Sequence, residues 1–331
     1  MLTKLLLLKT GSTNPYYNLA LEEQLLRGVG AGECILYLWQ NRRTVVIGRN
    51  QNAEDECRVQ ALEADGGHLA RRLSGGGAVY HDLGNLNFTF LTTVEDYDAA
   101  RQTQVILQAV RSLGVDAERT GRNDLTADGR KFSGHAFYKT AGRGCHHGTL
   151  MVNVEREQME RYLQVSPLKL RAKGVQSVRS RVVNLAEIAP ALTVEKLSAA
   201  LESAFGEVYA LPVTPLAESE LDAEAVEEKR KRFASPDWLY GKLRPLQCSR
   251  EARFDWGTVR LDYSLAEGVI CDAALWSDGL EADYLGAVPE ALRGCPLEEN
   301  AVRSRLTAPD GAHTQAAADI AALLTTKRGE S

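Results

Sequence analysis

Gly121-Arg122-Asn123-Asp124-Leu125-Thr126-Ala127-Asp128-Gly129-Arg130-Lys131-Phe132-Ser133-Gly134-His135-Ala136-Phe137-Tyr138-Lys139 alternates short strand-like pieces around Asp128-Gly129. Asp-Gly favours a two-residue hairpin because both turn positions take positive φ. Thr149 to Val154 reads as a further strand, and Leu86 to Leu91 as one before it. Strands joined by tight hairpins lie antiparallel, whereas repeated βαβ units need a long crossover between each pair. The order here mixes hairpins with helices, which predicts an α+β domain on a mixed sheet.

Working outward, Asn14-Pro15 precedes Tyr17, Leu21 and Leu25 at a spacing of four, a capping residue and first-turn proline that predict a helix over Tyr16 to Arg27. Cys34 to Trp39 and Thr44 to Gly48 read as adjacent strands, covered by a Glu- and Ala-rich helix ending near Asp65. Tyr97 to Leu113, Thr193 to Tyr209 and Glu218 to Phe233 carry helical spacing. Strand patterns return at Thr258 to Ser264 and Val269 to Trp276, followed by helical Glu290 to Gly294 and Thr314 to Thr326. The expected division is a large domain over 1–245 and a small α+β domain over 246–331, the length of 331 residues suiting two domains.

With 25% charged and 44% hydrophobic residues the composition is that of a packed globular chain. A formal net charge of -5 argues against a broad surface for nucleic acid. Met1 to Leu8 holds four consecutive leucines, too few for a secretory core, and no run reaches the ~18 apolar residues of a membrane span. Six cysteines without a CxxC pair fit reduced thiols, and a cytoplasmic protein is expected.

Three constellations can carry chemistry. The first is Arg71-Arg72-Leu73-Ser74-Gly75-Gly76-Gly77-Ala78-Val79-Tyr80-His81-Asp82. Three glycines let backbone amides approach an anion, and two arginines add charged donors, which suits a nucleotide phosphate; the other reading is a surface turn beside a basic pair. It is neither a Walker A loop nor a GxGxxG fingerprint. The second is Asn123-Asp124 with Gly129-Arg130-Lys131-Phe132-Ser133-Gly134, where Lys131 is either a solvated hairpin lysine or an ammonium projected into a cleft, suited to a carboxylate meeting a phosphate. The third is Cys145-His146-His147-Gly148-Thr149. Adjacent strand residues face opposite ways, so His146 and His147 do not chelate one metal together, and His147 beside Thr149 is the one expected to face a pocket. Cys145 reads as a buried inert thiol in preference to a nucleophile. Leu19, Val45, Ile47 and Val79 either line an apolar tunnel or belong to the core.

In this order the constellations resemble the lipoate-protein ligase family, within the fold group that includes biotin ligases and octanoyltransferases. The match begins at Asn14-Pro15-Tyr16-Tyr17-Asn18-Leu19-Ala20-Leu21-Glu22-Glu23 and continues through VVIGRNQN, ARRLSGGGAVYHDLGNLNFTF, GRNDLTADGRKFSGHAF and HHGTL to KGVQSVRSRVVNL. The resemblance implies a mixed-sheet catalytic domain with a small accessory domain, and a two-step reaction in which ATP activates lipoate to lipoyl-AMP and a carrier lysine then takes the lipoyl group. It implies Lys131 as the catalytic residue, touching both the lipoyl carbonyl and the α-phosphate. Arg72, Gly75, Gly76, Gly77, Ala78, Val79, Tyr80, Asn123 and Asp124 would hold the nucleotide, and Lys131 with His147 the lipoate. Mg2+ is expected for the ATP step, its ligands unassigned beyond Asp124 as a candidate. The implied partners are lipoyl domains of 2-oxoacid dehydrogenase acyltransferase subunits and the glycine-cleavage H protein. The GRGRxGR loop of biotin ligases is absent. Two alternatives are a transferase using a preformed octanoyl or lipoyl donor and a noncatalytic lipoate-binding protein.

Overall fold

A computed structural model describes residues 1–121, 123–164, 182–241, 245–308 and 311–326. It divides into two compact units, one of Met1–Val46, Ala53–Arg71 and Ala78–Leu239, the other of Ile47–Asn52, Arg72–Gly77 and Tyr240–Ser331. Arg122, the Leu243-Arg244 part of the expected linker and most of the KGVQSVRSRVVNL stretch lie outside the described residues.

The strands of the first unit are β1 (Lys4–Lys9), β2 (Glu33–Trp39), β3 (Thr44–Ile47), β4 (His68–Arg71), β5 (Val79–His81), β6 (Asn85–Thr93), β7 (Ala117–Thr120), β8 (Asp124–Ala127), β9 (Arg130–Thr140), β10 (Arg143–Met151) and β11 (Val213–Pro215). Eight of them form one sheet in the order β11-β1-β2-β6-β10-β9-β8-β7. The first three run parallel to one another and the rest pair antiparallel, so the sheet is mixed as expected. The Asp128-Gly129 turn closes on Ala127 opposite Arg130, with φ of 50° and 69°.

One strand escaped the sequence reading and one pairing needs correction. The leucine run is β1, a central strand whose Leu5 to Leu8 are all buried. An interior parallel strand is covered on both faces and so lacks alternation. The segments over 34–39 and 44–48 are not neighbours: β2 pairs with β1 and β6, while β3 joins β4 and β5 in a separate three-stranded sheet. Asn18 holds the exit from β2 by donating to the Gln40 carbonyl (2.9 Å) and to Asn41 Oδ1 (3.0 Å), and Arg43 takes a φ of 35°. That turn sends the chain off the large sheet.

Three helices flank the sheet, α1 (Pro15–Gly28), α2 (Ala99–Ser112) and α3 (Val194–Tyr209), and α4 (Ala223–Phe233) packs on α1. Asn14 caps α1 by accepting from the amides of Tyr16 (3.0 Å) and Tyr17 (3.2 Å), an arrangement that contributes ~1 kcal/mol. On one face of the sheet Leu36, Leu38, Phe88, Phe90, Leu125 and Phe132 join Ile106 of α2 and Phe205 of α3 in the main core. The other face meets α1, whose buried stripe includes the polar Asn18 and Glu22.

In the second unit β12 (Cys248–Phe254), β13 (Gly257–Ala266), β14 (Val269–Ser277) and β15 (Cys295–Pro296) form an antiparallel sheet. Its buried face packs on α5 (Ala282–Leu292), α6 (Glu299–Leu306) and α7 (Thr314–Thr325), around Val259, Leu261, Ile270, Leu285 and Ile320. The helix expected at Glu290 to Gly294 is the end of α5, which starts eight residues earlier. No described helix is long and apolar enough to cross a membrane.

Candidate active site

Strict alternation along β9 would put Lys131 on the same face as Ser133 and His135. The register forbids it. Asp124 pairs with Gly134 and Leu125 with Ser133, but Thr126 pairs with Lys131, leaving Phe132 as an extra residue. Such a bulge lets two successive side chains share one face and re-aims the next. Phe132 and Ser133 accordingly turn into the buried side, at 0% and 1% exposure, and Lys131 joins Asp124 and Gly134 on the opposite face.

Lys131 Nζ lies 2.6 Å from Asp124 Oδ1, with about a third of the lysine side chain (32%) and a quarter of the aspartate (25%) exposed. Its aliphatic end passes over Gly134, where an added Cβ would stand 2.8 Å from Nζ and 3.0 Å from Cε. Gly134 is therefore the space the lysine occupies. Asn123 lies at the turn into β8 and clasps β9, accepting from the His135 amide (2.8 Å) and donating from Nδ2 to the His135 carbonyl (3.2 Å).

The same face continues across the sheet. Ala136 is opposite His147, His147 opposite Thr89, and Thr89 opposite Tyr37. His147 is 6% exposed, its Nδ1 2.8 Å from Glu22 Oε1 of α1. Glu22 also accepts from Thr89 Oγ1 (2.7 Å), which in turn accepts from the indole of Trp39 (3.1 Å). Lys131, His147 and Glu22 thus share one side of one sheet.

His146 faces the other way, as alternation requires. Its Nδ1 meets Gln102 Oε1 at 2.9 Å and its Nε2 meets His135 Nδ1 at 2.8 Å; His135 Nε2 lies 3.1 Å from Ser133 Oγ. Burial drives both imidazoles to the neutral form, His135 down to about 3, with Lys131 and Arg119 adding repulsion. Neutral rings donate at one nitrogen and accept at the other, so all four ring nitrogens of His146 and His135 find partners without charge, Gln102 Oε1 and Ser133 Oγ standing at the two ends. It ties the bulged strand to β10 and α2 from the core side.

The glycine loop belongs to the second unit as far as Gly77. Arg72 is buried and holds the loop from within, donating to Ser74 Oγ (3.0 Å) and to the carbonyls of Gly75 (2.7 Å) and Gly77 (2.8 Å). Gly75 has no room for a Cβ, which would fall on the Gly279 carbonyl oxygen, and Gly76 takes a φ of 92° while donating its amide to the same oxygen (3.1 Å). Gly77 meets neither restraint. Ala78 leads into β5, where Val79 is half-buried and Tyr80 is buried against Tyr162. Arg71 departs from the expectation that both arginines serve an anion: its guanidinium donates to the carbonyls of Trp238 (2.9 Å) and Leu239 (2.6 Å), and Trp238 Nε1 returns a bond to the Arg71 carbonyl (2.9 Å). Leu19, Val45 and Ile47 are buried at 1% exposure or less.

Residues 14–206 match the model of the lipoyl protein ligase A/B catalytic domain, and residues 245–324 that of the bacterial lipoate protein ligase C-terminus. Lipoate-protein ligase A of Psychrobacter cryohalolentis is 40% identical over 325 residues, 96% of each chain. The chain belongs to the lipoate-protein ligase A family. Among solved structures it is similar to LipL1 of P. falciparum in complex with lipoate (TM-score 0.86, 27% identity, 98% of this chain and 100% of that one). A lipoate-protein ligase A bound with ATP aligns over 73% of this chain and 100% of its own at 28% identity, with a TM-score of 0.63. A bipartite lipoate protein ligase of Thermoplasma acidophilum, solved in a study that includes its E2 lipoyl domain, aligns over 74% and 98% at 30% identity and the same TM-score.

Family motifs named Lys131 and His147 in advance but gave no role to Glu22 or Gly134, or to the His135-Ser133 row. Glu22 had left a trace: Asn18 and Glu22 stand four apart on the apolar stripe of α1, where a polar residue needs a buried partner. The bulge left a fainter one: Phe132 and Phe137 are five apart, an odd spacing that strict alternation would put on opposite faces, yet Phe132 is in the main core and Phe137 lies against His146 on that same side.

Proposed function

We propose that Lys131 is the fixed positive charge through which this chain performs ATP-dependent lipoate-protein ligation. The observation that carries the reading is the bulge, which puts Lys131 on the face of Glu22 and His147 with its ammonium over Gly134 and against Asp124. In the first step a lipoate carboxylate oxygen attacks the α-phosphorus of ATP, and the bond to pyrophosphate breaks. Two anions must approach, and an ammonium between them offsets their repulsion. In the second, the ε-amine of a carrier lysine attacks the lipoyl carbonyl, AMP leaves with the bonding pair, and the amine loses a proton. Negative charge grows on the carbonyl oxygen and the leaving phosphate, which the same ammonium stabilises.

Arg72, Gly75, Gly76, Gly77, Ala78, Val79 and Tyr80, with Asn123 and Asp124, serve the nucleotide in this reading. Arg72 acts chiefly by holding the glycine loop in shape, given its bonds to two loop carbonyls. His147 serves the lipoate. Mg2+ takes hard oxygen donors, and Asp124 is the carboxylate at Lys131 that fits it, beside the phosphates of ATP; the ion would neutralise polyphosphate charge. Residues 1–245 would carry the two reactions and 246–331 the accessory role. The acceptors are lipoyl domains, specifically those of 2-oxoacid dehydrogenase acyltransferase subunits and the glycine-cleavage H protein, and the setting is the cytoplasm.

A thioester route through Cys145 finds no support, because burial holds that thiol well above its ordinary pKa and an attacking sulfur must be a thiolate. The test is lipoate-dependent pyrophosphate release with ATP and Mg2+, followed by mass increase of a lipoyl domain. Lys131→Ala is expected to abolish the first while leaving the thermal unfolding curve in place. Near-normal release from that variant would remove Lys131 from the centre of the mechanism.

A further inference from the structure

We infer that Glu22, Cys145 and His147 form a buried site for one borderline-soft divalent cation of the Zn2+ class, whose occupancy blocks ligation. Cys145 and His147 are two apart on β10, so both face the same way, and Glu22 comes to them from α1. One ligand atom from each lies within 4.8 Å of the other two, and all three residues are buried. Tetrahedral Zn2+ with sulfur, nitrogen and oxygen donors at roughly 2.0 to 2.3 Å sets its ligands about 3.5 Å apart, so binding asks the three side chains to draw together by roughly 1 Å. The donor set is the mixed one that such ions take, and three protein ligands leave a fourth position open.

Charge favours the same conclusion. A carboxylate and a thiolate balance a dication, so the loaded cluster is neutral, the state in which burial costs least. The thiol's proton is released as the Cys145 sulfur bonds to the ion, and no electrons change hands. The inhibitory half rests on the reading of His147 as a lipoate contact: a ring committed to a metal is lost to the acyl group.

The test uses Cd2+ as a probe, because a cadmium–thiolate bond absorbs in the ultraviolet. Chelator-stripped protein is titrated and the charge-transfer band followed, beside lipoate-dependent pyrophosphate release with Mg2+ in excess and Zn2+ at one equivalent. The site predicts a band saturating at one Cd2+ per chain, retained when the half-buried Cys248 and the exposed Cys271 are replaced by serine. Cys145→Ser, which keeps size, is expected to lose the band and to stay active when Zn2+ reduces the wild type at least tenfold. Absence of a band in the wild type, or its survival in Cys145→Ser, overturns the site, and equal Zn2+ inhibition of both overturns the inhibitory role. If Cys145→Ser does not fold, loss of the band in the Cys248→Ser/Cys271→Ser protein overturns the site by itself. Failure of ligation without any added Zn2+ would sink the functional reading instead, while the band still reports on the metal.

Discussion

Replacing Gly134 with alanine separates the aim of Lys131 from the stability of the strand that carries it. Gly134 is not among the glycines with positive φ, so the backbone accepts alanine without strain. The new Cβ would stand 2.8 Å from Lys131 Nζ and 3.0 Å from Cε, where ordinary contact is roughly 3.5 to 4.0 Å. The ammonium must retreat by about 1 Å and give up its 2.6 Å contact with Asp124. Because the yielding atoms are the end of a flexible, one-third exposed side chain, the loss in stability is expected to stay below about 1 kcal/mol. A charge displaced by about 1 Å from its working position costs on the order of 10²-fold in rate. The assay is lipoate-dependent pyrophosphate release beside thermal unfolding, with Lys131→Ala as the floor. Gly148→Ala is the contrasting variant: its Cβ would meet the Gly134 carbonyl oxygen at 2.5 Å and Phe88 Cζ at 2.6 Å, neither of which can swing away. There the expected loss is in stability, about 1 to 3 kcal/mol. Gly134→Ala retaining activity within about threefold of wild type would refute the reasoning, since it would mean the position of the ammonium does not matter.

The glycine loop offers a similar pair. Gly75→Ala drives a methyl onto the Gly279 carbonyl and should raise the KM for ATP well above that for lipoate, whereas Gly77→Ala, with nothing within 4 Å and its amide intact, should stay within about threefold by steady-state kinetics. The neutral imidazoles give a pH dependence. An unfolded His135 takes a proton below about 6.5 and the folded one only near 3, so the unfolded state binds more protons in that window and stability falls as pH drops through it. The slope is a little over 1 kcal/mol per pH unit for each such imidazole and vanishes above the window. Urea unfolding at several pH values should show it, shallower in His135→Gln; an unchanged slope would remove His135 as its source.

Much of the site was legible because its parts are short motifs whose chemistry is local. A glycine loop with a neighbouring arginine, a lysine after an Asp-Gly turn and a histidine pair on a strand each read correctly as to element and, for the histidines, as to face. Register was not legible. Whether Lys131 sides with Ser133 or with Gly134 depends on one unpaired residue, and the odd spacing of Phe132 and Phe137 that marks it is too slight to read without the pairing partners. Arg71 and Arg72 are adjacent and chemically alike, yet one serves the carbonyls of Trp238 and Leu239 and the other those of the glycine loop. That assignment depends on which segments pack nearby, some 160 residues away for Arg71. β1 was missed for the opposite reason, since a strand covered on both faces has no alternation to detect.

The two faces of the sheet explain why polar groups gather at its centre in such number. On the site side a charged residue needs a partner and water, and Lys131 has Asp124 at hand and a third of its side chain in water. On the core side no charge is tolerable, and the imidazoles of His146 and His135 meet their hydrogen bonds with neutral groups only, Gln102 Oε1 at one end of the row and Ser133 Oγ at the other. The bulge sits where these demands meet, because a strand that alternates strictly cannot point Phe132 and Ser133 inward and still deliver both Lys131 and Gly134 outward. A serine that returns the bond of His135 fixes which residue is the extra one. Removing that hydroxyl should leave the fold standing on its apolar contacts while allowing the register beside Lys131 to slip, so the imidazole row acts on the reaction only through the direction in which one ammonium points.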